Sequence, residues 1–284
     1  MKMKIAACVI LYNPEQSVEK NIYSYIHYAE KIYVIDNSEI KNYSSKFLSE
    51  HASKIVFIHD GNNEGIARRL NQACTLAMED DFEYLLTMDQ DSYFEQPAIH
   101  KYLTCIGEYA EKESTSMFGI NHEKDLHNED CVFTKGSPLI TSGSVINLAV
   151  YQNIGLFDEN LFIDFVDTEY CFRSILKGYD IVWFPNIFMH HEIGKTTQHR
   201  SFKNLNLSKR SIHSAVRLYY MTRNFFYLNK RYKSQFPEQL YINKKDVITG
   251  IKNKLLYNPK RIQTVRYLFK AFSDYRNHRM GKQL

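Results

Sequence analysis

No apolar run in this 284-residue chain approaches the ~18–20 residues that a membrane-spanning helix requires. Cys8, Cys74, Cys105, Cys131 and Cys171 are odd in number and contain no Cys-x-x-Cys pair, which argues for reduced thiols in a cytoplasmic protein and against a zinc site or a disulfide scaffold. Internal repeats and low-complexity segments are also missing. Acidic residues are scarce in one region only. From Arg200 onward, 20 lysines and arginines face Glu238, Asp246 and Asp274 alone, a balance of +17, whereas residues 1–199 carry −13. That contrast places a boundary near residue 200.

What is present is a hydrophobic content of 44%, ordinary for a globular chain with a sizeable core. The opening Met1-Lys2-Met3-Lys4 and the apolar run to Leu11 resemble the start of a signal peptide. The run leads into Tyr12-Asn13-Pro14 rather than a small-residue cleavage site, so it reads as a buried first strand. Further strands are expected at Lys31–Ile35, Lys54–Ile58 and Tyr84–Met88, alternating with helical patterns at about 15–28, 64–79 and 95–111. This order predicts a parallel sheet of right-handed βαβ units. Asn13-Pro14-Glu15 has the form of a helix start. A less regular middle, 114–163, precedes a helix over Val166–Lys177 and a strand over Asp180–Phe184 stopped by Pro185. The remaining tail shows no strand alternation and offers helical stretches near 204–231, 238–256 and 260–280.

In a parallel sheet, ligands gather outside the C-terminal strand ends, where Tyr12, Asp36 and Asp89 fall. The fourth strand stops on Asp89-Gln90-Asp91, two carboxylates that can converge on one hard cation or belong to an ordinary solvated turn. Asp36 offers an acceptor to a base or ribose, or an Asx-turn. The segment from Asn63 through Gly65 to Arg68 and Arg69 combines a close backbone approach with a helix N-terminus and cations suited to phosphate, although helical arginines commonly face solvent.

Tyr-Asn-Pro after the first strand, then Asp36-Asn37-Ser38, Asn63-x-Gly65 and Asp89-x-Asp91, together resemble the family 2 glycosyltransferases of the α/β GT-A fold. Thr141-Ser142-Gly143-Ser144, Ile154-Gly155-Leu156-Phe157-Asp158-Glu159, the run Phe162–Arg173 and His190-His191-Glu192-Ile193-Gly194 extend the likeness, especially to bacterial rhamnosyltransferases, over about residues 5–230. The resemblance implies a GT-A domain over 1–200, with a nucleotide half to about 92 and an acceptor half from 93. It also implies inverting transfer from a nucleotide sugar, dTDP-L-rhamnose or a UDP-sugar, to a surface-polysaccharide or lipid-linked saccharide hydroxyl.

By the same resemblance, Asp36 meets the pyrimidine base and Arg68 the base or diphosphate. Tyr12, Asn63 and Gly65 contribute to the nucleotide pocket. Asp89 touches the ribose or the metal's water shell, and Asp91 coordinates Mg²⁺ or Mn²⁺, with His191 (or His190) as a further ligand. Asp167 matches the family's general base, although Val166 and Glu169 replace acidic residues of its Glu-Asp-x-Asp pattern, and Asp164 or Glu169 remains open for that role. Ser142 and Gly143 line the sugar pocket, Asp164 and Glu169 lie at the substrate, and Arg223 of Tyr219-Tyr220-x-x-Arg223-Asn224 faces the diphosphate.

The basic, aromatic-rich region 201–284 suits an anionic membrane surface and peripheral attachment to the inner face of the cell membrane. The same charge would suit nucleic acid, but no nucleic-acid motif is found. Strand-end carboxylates also serve nucleotidyltransferases and phosphohydrolases, and a non-catalytic sugar- or nucleotide-binding module is the remaining alternative.

Overall fold

The computed structural model describes residues 3–40, 46–123, 130–191, 196–200, 207–258 and 260–283. Glu192, Ile193 and Gly194 of the histidine motif lie outside the described residues. Contacts divide the chain into two units, one of Met1–Glu159 with Val166–Glu192 and one of Asn160–Phe165 with Ile193–Leu284. The boundary expected near residue 200 therefore falls at 192/193, and six residues ahead of Asp167 belong with the second unit.

The first unit opens with β1 (Ile5–Leu11), α1 (Ser17–Tyr23), β2 (Lys31–Asp36), α2 (Lys46–Glu50), β3 (Ile55–His59), α3 (Ile66–Glu79) and β4 (Tyr84–Asp89). Every residue of β1 is buried, as its unbroken apolar run requires when helices cover both faces of a parallel sheet. Next come β5 (Ser92–Tyr93), α4 (Ala98–Glu108), β6 (Thr115–Asn121), β7 (Thr134–Lys135), β8 (Ser144–Asn147), α5 (Leu148–Ile154), α6 (Val166–Leu176), β9 (Asp180–Phe188) and β10 (His190–His191). The eight-stranded sheet has the order β3-β2-β1-β4-β8-β6-β9-β7. Strands β1–β4 are mutually parallel, as are β6 and β9, while β8 and β7 run against their neighbours. One apolar core from Ile5, Val9, Val34 and Leu86 to Phe118, Phe184 and Met189 fills the layer between sheet and helices.

Several local expectations are corrected. Asn13 is not a helix cap: its φ is 46°, its N–H donates to Ser38 Oγ at 2.7 Å, and α1 starts only at Ser17. Pro185 does not stop β9, because pairing with β6 becomes irregular there and Asn121 Nδ2 donates to the Pro185 carbonyl at 2.9 Å. Cys105 and Cys131 are joined in a disulfide, so only Cys8, Cys74 and Cys171 are free thiols, all buried. The 26-residue separation carries no recognisable pairing signature.

The second unit contains a hairpin, β11 (Thr196–Arg200) with β12 (Leu207–Ser211), where no strand was expected. Three helices follow, α7 (Ala215–Tyr232), α8 (Pro237–Tyr257) and α9 (Arg261–Arg276). Phe162, Tyr219, Tyr220 and Ala271 form its apolar centre. Among the described residues no helix is long and apolar enough to cross a membrane.

Candidate active site

Three strand ends carry the acidic site. Gln90 sits between the two carboxylates, and its side chain accepts the Tyr12 N–H at 2.8 Å while its carbonyl accepts from Asn21 Nδ2 at 2.8 Å. Residue 90 is thereby held against the end of β1, and Asp89 and Asp91 are left to converge on one point. His191 arrives there by a separate route, because β10 pairs antiparallel with β5, setting His191 opposite Ser92. Ligand atoms of Asp89, Asp91 and His191 all lie within 4.8 Å of one another, and His191 Nδ1 is 3.5 Å from Asp91 Oδ1. Two carboxylates and an imidazole are a donor set that fits Mn²⁺ or Mg²⁺.

Behind the ligands runs a hydrogen-bonded chain that the sequence did not signal. The Asp89 N–H donates to Ser142 Oγ at 3.2 Å, Ser142 donates to Ser92 Oγ at 2.8 Å, and Ser92 Oγ lies 2.7 Å from His191 Nδ1. Such partners fix the tautomer and direction of a metal-binding imidazole. Ser142 is 1% exposed and braces the segments that carry Asp89 and His191. Gly143, beside it, is fixed by its backbone. It has φ 75° and donates to the Thr87 carbonyl at 2.8 Å, and an added Cβ would meet Met189 at 2.9 Å. Packing and conformation both require glycine there.

His122, unremarkable in sequence, lies at the same place. Its Nε2 is 2.9 Å from the Ser142 carbonyl and its ring meets His191 edge-on. Burial, opposed by the Ser142 contact, brings its pKa down to about 4, so its ring is neutral near pH 7.

The loops after β2 and β3 are organised by a buried arginine. Arg69, 3% exposed, donates to both Asp60 oxygens at 2.8 and 2.6 Å, to Asn37 Oδ1 at 3.0 Å and to the Asn62 carbonyl at 2.6 Å. Hydrogen bonding to Arg69 brings the Asp60 carboxyl down to about 2. Asn63 Oδ1 accepts from Asn37 Nδ2 at 2.9 Å and from the Gly65 N–H at 3.2 Å, and Gly65 opens α3 at φ 83°. Arg68, by contrast, is exposed and pairs with Glu64 at 3.1 Å. Asp36 is fully buried: Oδ1 accepts the Ser38 N–H at 3.0 Å and Oδ2 faces His59 Nδ1 at 3.0 Å. Tyr12 is 47% exposed at the end of β1.

The acidic residues around α6 separate into different roles. Asp167 stands in the first turn of α6, its Oδ1 accepting the Thr168 N–H at 2.7 Å. Glu169 is 1% exposed, and its two oxygens sit in the fork of Arg173 at 3.1 and 2.9 Å. Arg173 also holds the Ile154 and Leu156 carbonyls, and Asn71 secures Phe157 and Glu159. Glu169 thus anchors, through Arg173, the loop that follows Ile154.

Asp164 belongs to the second unit, where its Oδ1 accepts from Arg217 at 3.2 and 3.1 Å. Burial raises its pKa against the opposing pull of Arg217. Arg223 also lies in the second unit. Fully buried, it donates to the Gly281 carbonyl at 2.8 Å, the Asn160 carbonyl at 3.2 Å and the Tyr219 hydroxyl at 3.2 Å. Its neighbour Asn224 donates to the Leu161, Ile163 and Asp164 carbonyls at 2.7, 2.8 and 3.1 Å. Those carbonyls belong to a loop in which Phe162, Asp164 and Phe165 have positive φ, a costly backbone for side-chain-bearing residues that external donors must hold.

A mostly parallel α/β sheet with carboxylates and an imidazole gathered at its strand ends is consistent with the GT-A fold. Residues 6–113 match the profile of the Glycosyl transferase family 2. The chain is also 30% identical over 296 aligned positions, 92% of its own length and 94% of the other's, to a dTDP-rhamnosyl transferase, RfbF, of Shigella flexneri. The chain belongs to the family 2 glycosyltransferases.

Proposed function

We propose that this enzyme transfers L-rhamnose from dTDP-L-rhamnose, with inversion, to a hydroxyl of a surface polysaccharide or its lipid-linked precursor. The observation that carries the reading is the convergence of Asp89, Asp91 and His191 in a chain similar along 92% of its length to a dTDP-rhamnosyl transferase. These three residues would hold Mg²⁺ or Mn²⁺. When bound, the ion supplies the charge that offsets the departing diphosphate. Tyr12, the Asn63–Gly65 turn and the N-terminus of α3, with Arg68 exposed beside it, form the walls for the nucleotide, and Asp36 lies buried beneath them.

Asp167 is the base in this reading. It takes the proton of the acceptor hydroxyl as that oxygen bonds to the anomeric carbon and the diphosphate leaves, a contribution of roughly 10²–10⁴-fold. Its carboxylate is chosen over Glu169, whose oxygens Arg173 occupies, and over Asp164, which pairs with Arg217. The acceptor is membrane-borne, met at the inner face of the membrane through the basic C-terminal region.

The test is a thermal-shift screen of nucleotide sugars with Mn²⁺ or Mg²⁺. Stabilisation by dTDP-L-rhamnose above UDP-glucose, UDP-galactose and GDP-mannose is expected. A larger shift with a UDP-sugar would replace the donor, and no shift with any of them would remove the donor assignment altogether.

A further inference from the structure

Helix α9 buries one face and leaves an apolar stripe exposed on the opposite one. Thr264, Ala271 and Asp274 turn inward and are buried. On the other side Ile262, Val265, Phe269 and Phe272 follow one another at helical spacing and are 73, 40, 72 and 47% exposed. Single exposed apolar residues need no explanation, but four large ones on one stripe of one helix do. Charged residues at Ile262 and Phe269, 73 and 72% exposed, would leave the packing of α9 on α7 undisturbed, so folding alone does not account for them.

The stripe continues onto the neighbouring helices. Phe272 meets Phe226 edge-on, with ring centres 5.8 Å apart. Phe226 in turn lines a groove of about 340 Å³ between α7 and α8, together with Phe225, Leu240, Tyr241 and the lysines Lys233 and Lys244. The exposed charge of α9 has one sign. Arg261, Arg266 and Arg276 share α9 with it, whereas the helix's one carboxylate, Asp274, faces inward and accepts from the Tyr219 hydroxyl at 2.8 Å.

That distribution discriminates between occupants. A two-fold copy of the same stripe would press arginines against arginines with no exposed carboxylate of α9 to offset them. Anionic headgroups would supply the missing charge while the acyl boundary receives the phenylalanines, the arrangement of a helix lying in the membrane interface.

We propose that the outer face of α9, with the adjoining α7–α8 groove, is a membrane-docking surface that lies flat in the headgroup layer of an anionic phospholipid bilayer. This deepens the reading of a membrane-borne acceptor and rests on it.

The experiment is co-sedimentation of the full chain with vesicles of phosphatidylglycerol and phosphatidylcholine, beside vesicles of phosphatidylcholine alone. Wild type is expected to bind the anionic vesicles and to be released by salt. Ile262→Glu with Phe269→Glu is expected to weaken binding by about ten-fold or more. Arg261→Glu with Arg266→Glu is expected to weaken it by at least about five-fold for each charge removed. Both variants should keep the melting temperature and the nucleotide-sugar thermal shift of wild type, which separates failure of this surface from failure of the donor assignment.

The proposal is overturned if wild type ignores anionic vesicles or if the Ile262/Phe269 variant binds them unchanged. It is also overturned if light scattering finds a wild-type dimer that this variant dissociates without any vesicle binding, since the occupant is then a second copy.

Discussion

The Ser142 hydroxyl donates to Ser92 Oγ at 2.8 Å, joining residues fifty positions apart directly behind Asp89 and His191. Through this bond the backbone of Asp89 and the ring of His191 share one support. Ser142→Ala should therefore weaken metal binding by about 10-fold or more while the fold stays intact. Titration of nucleotide-sugar turnover with Mn²⁺ checks this: the variant should approach wild-type turnover at saturating metal, with its half-maximal concentration raised.

Asp167 and Glu169 are two residues apart but should fail in different ways. Asp167→Asn should cut turnover by roughly 10²–10⁴-fold with the melting temperature and donor binding preserved. Glu169→Gln should destabilise the protein by about 3 kcal/mol, because the Arg173 fork loses its carboxylate. Thermal melts beside turnover assays distinguish the two.

Asn224 is fully buried and is donor to three carbonyls of the positive-φ loop at 161–164. Its replacement by alanine should destabilise the second unit by about 2 kcal/mol, since those acceptors lose their donor where water does not reach. Hydrogen exchange at α7 and α9 would reveal the loss. Arg223→Lys should also destabilise, because a lysine cannot reach Gly281, Asn160 and Tyr219 together.

Acid should act on the loop held by Arg69. The Asp60 carboxyl is depressed from its ordinary value of 3.8 to about 2, so in the interval between these values the unfolded chain binds a proton that the folded chain does not. Stability from this pair is complete above the unfolded value and is lost as pH falls from 3.8 towards about 2. Asp60→Asn should abolish that part of the pH dependence and lower stability near pH 7 by about 1 kcal/mol, a small value because Asp60 is 44% exposed and solvent screens the pair. Melting curves from pH 2 to 7 test both statements.

Much of the first unit is legible in its residue pattern. Strands β1–β4 are apolar runs closed by polar residues, and a parallel sheet brings those ends together without further information. The convergence of His191 with Asp89 and Asp91 is different in kind: it depends on the pairing of β10 with β5, two-residue strands with no periodicity to read.

Arg68 and Arg69 show how a single helical step decides a role. Arg69 shares its face with Ala73 and Ala77, both buried and small enough to let a guanidinium pass, whereas Arg68 aligns with exposed Thr75 and Glu79. That signal was present but weaker than the rule that arginines face solvent. Gln90 and His122 carried no signal, and Ser142 was marked only by the resemblance, because their hydrogen bonds exist only in the assembled fold. The β11–β12 hairpin escaped because neither segment alternates apolar and polar residues.

The central claim is a metal-assisted transfer in which Asp91 holds the ion and Asp167 is the base. The most direct measurement is dTDP release from dTDP-L-rhamnose with Mn²⁺ and a saccharide acceptor, for wild type, Asp91→Ala and Asp167→Asn. Release by wild type that stops on chelation, with at least about 100-fold loss in each variant, is the predicted result. Undiminished release under chelation, or wild-type rates in both variants, would contradict it.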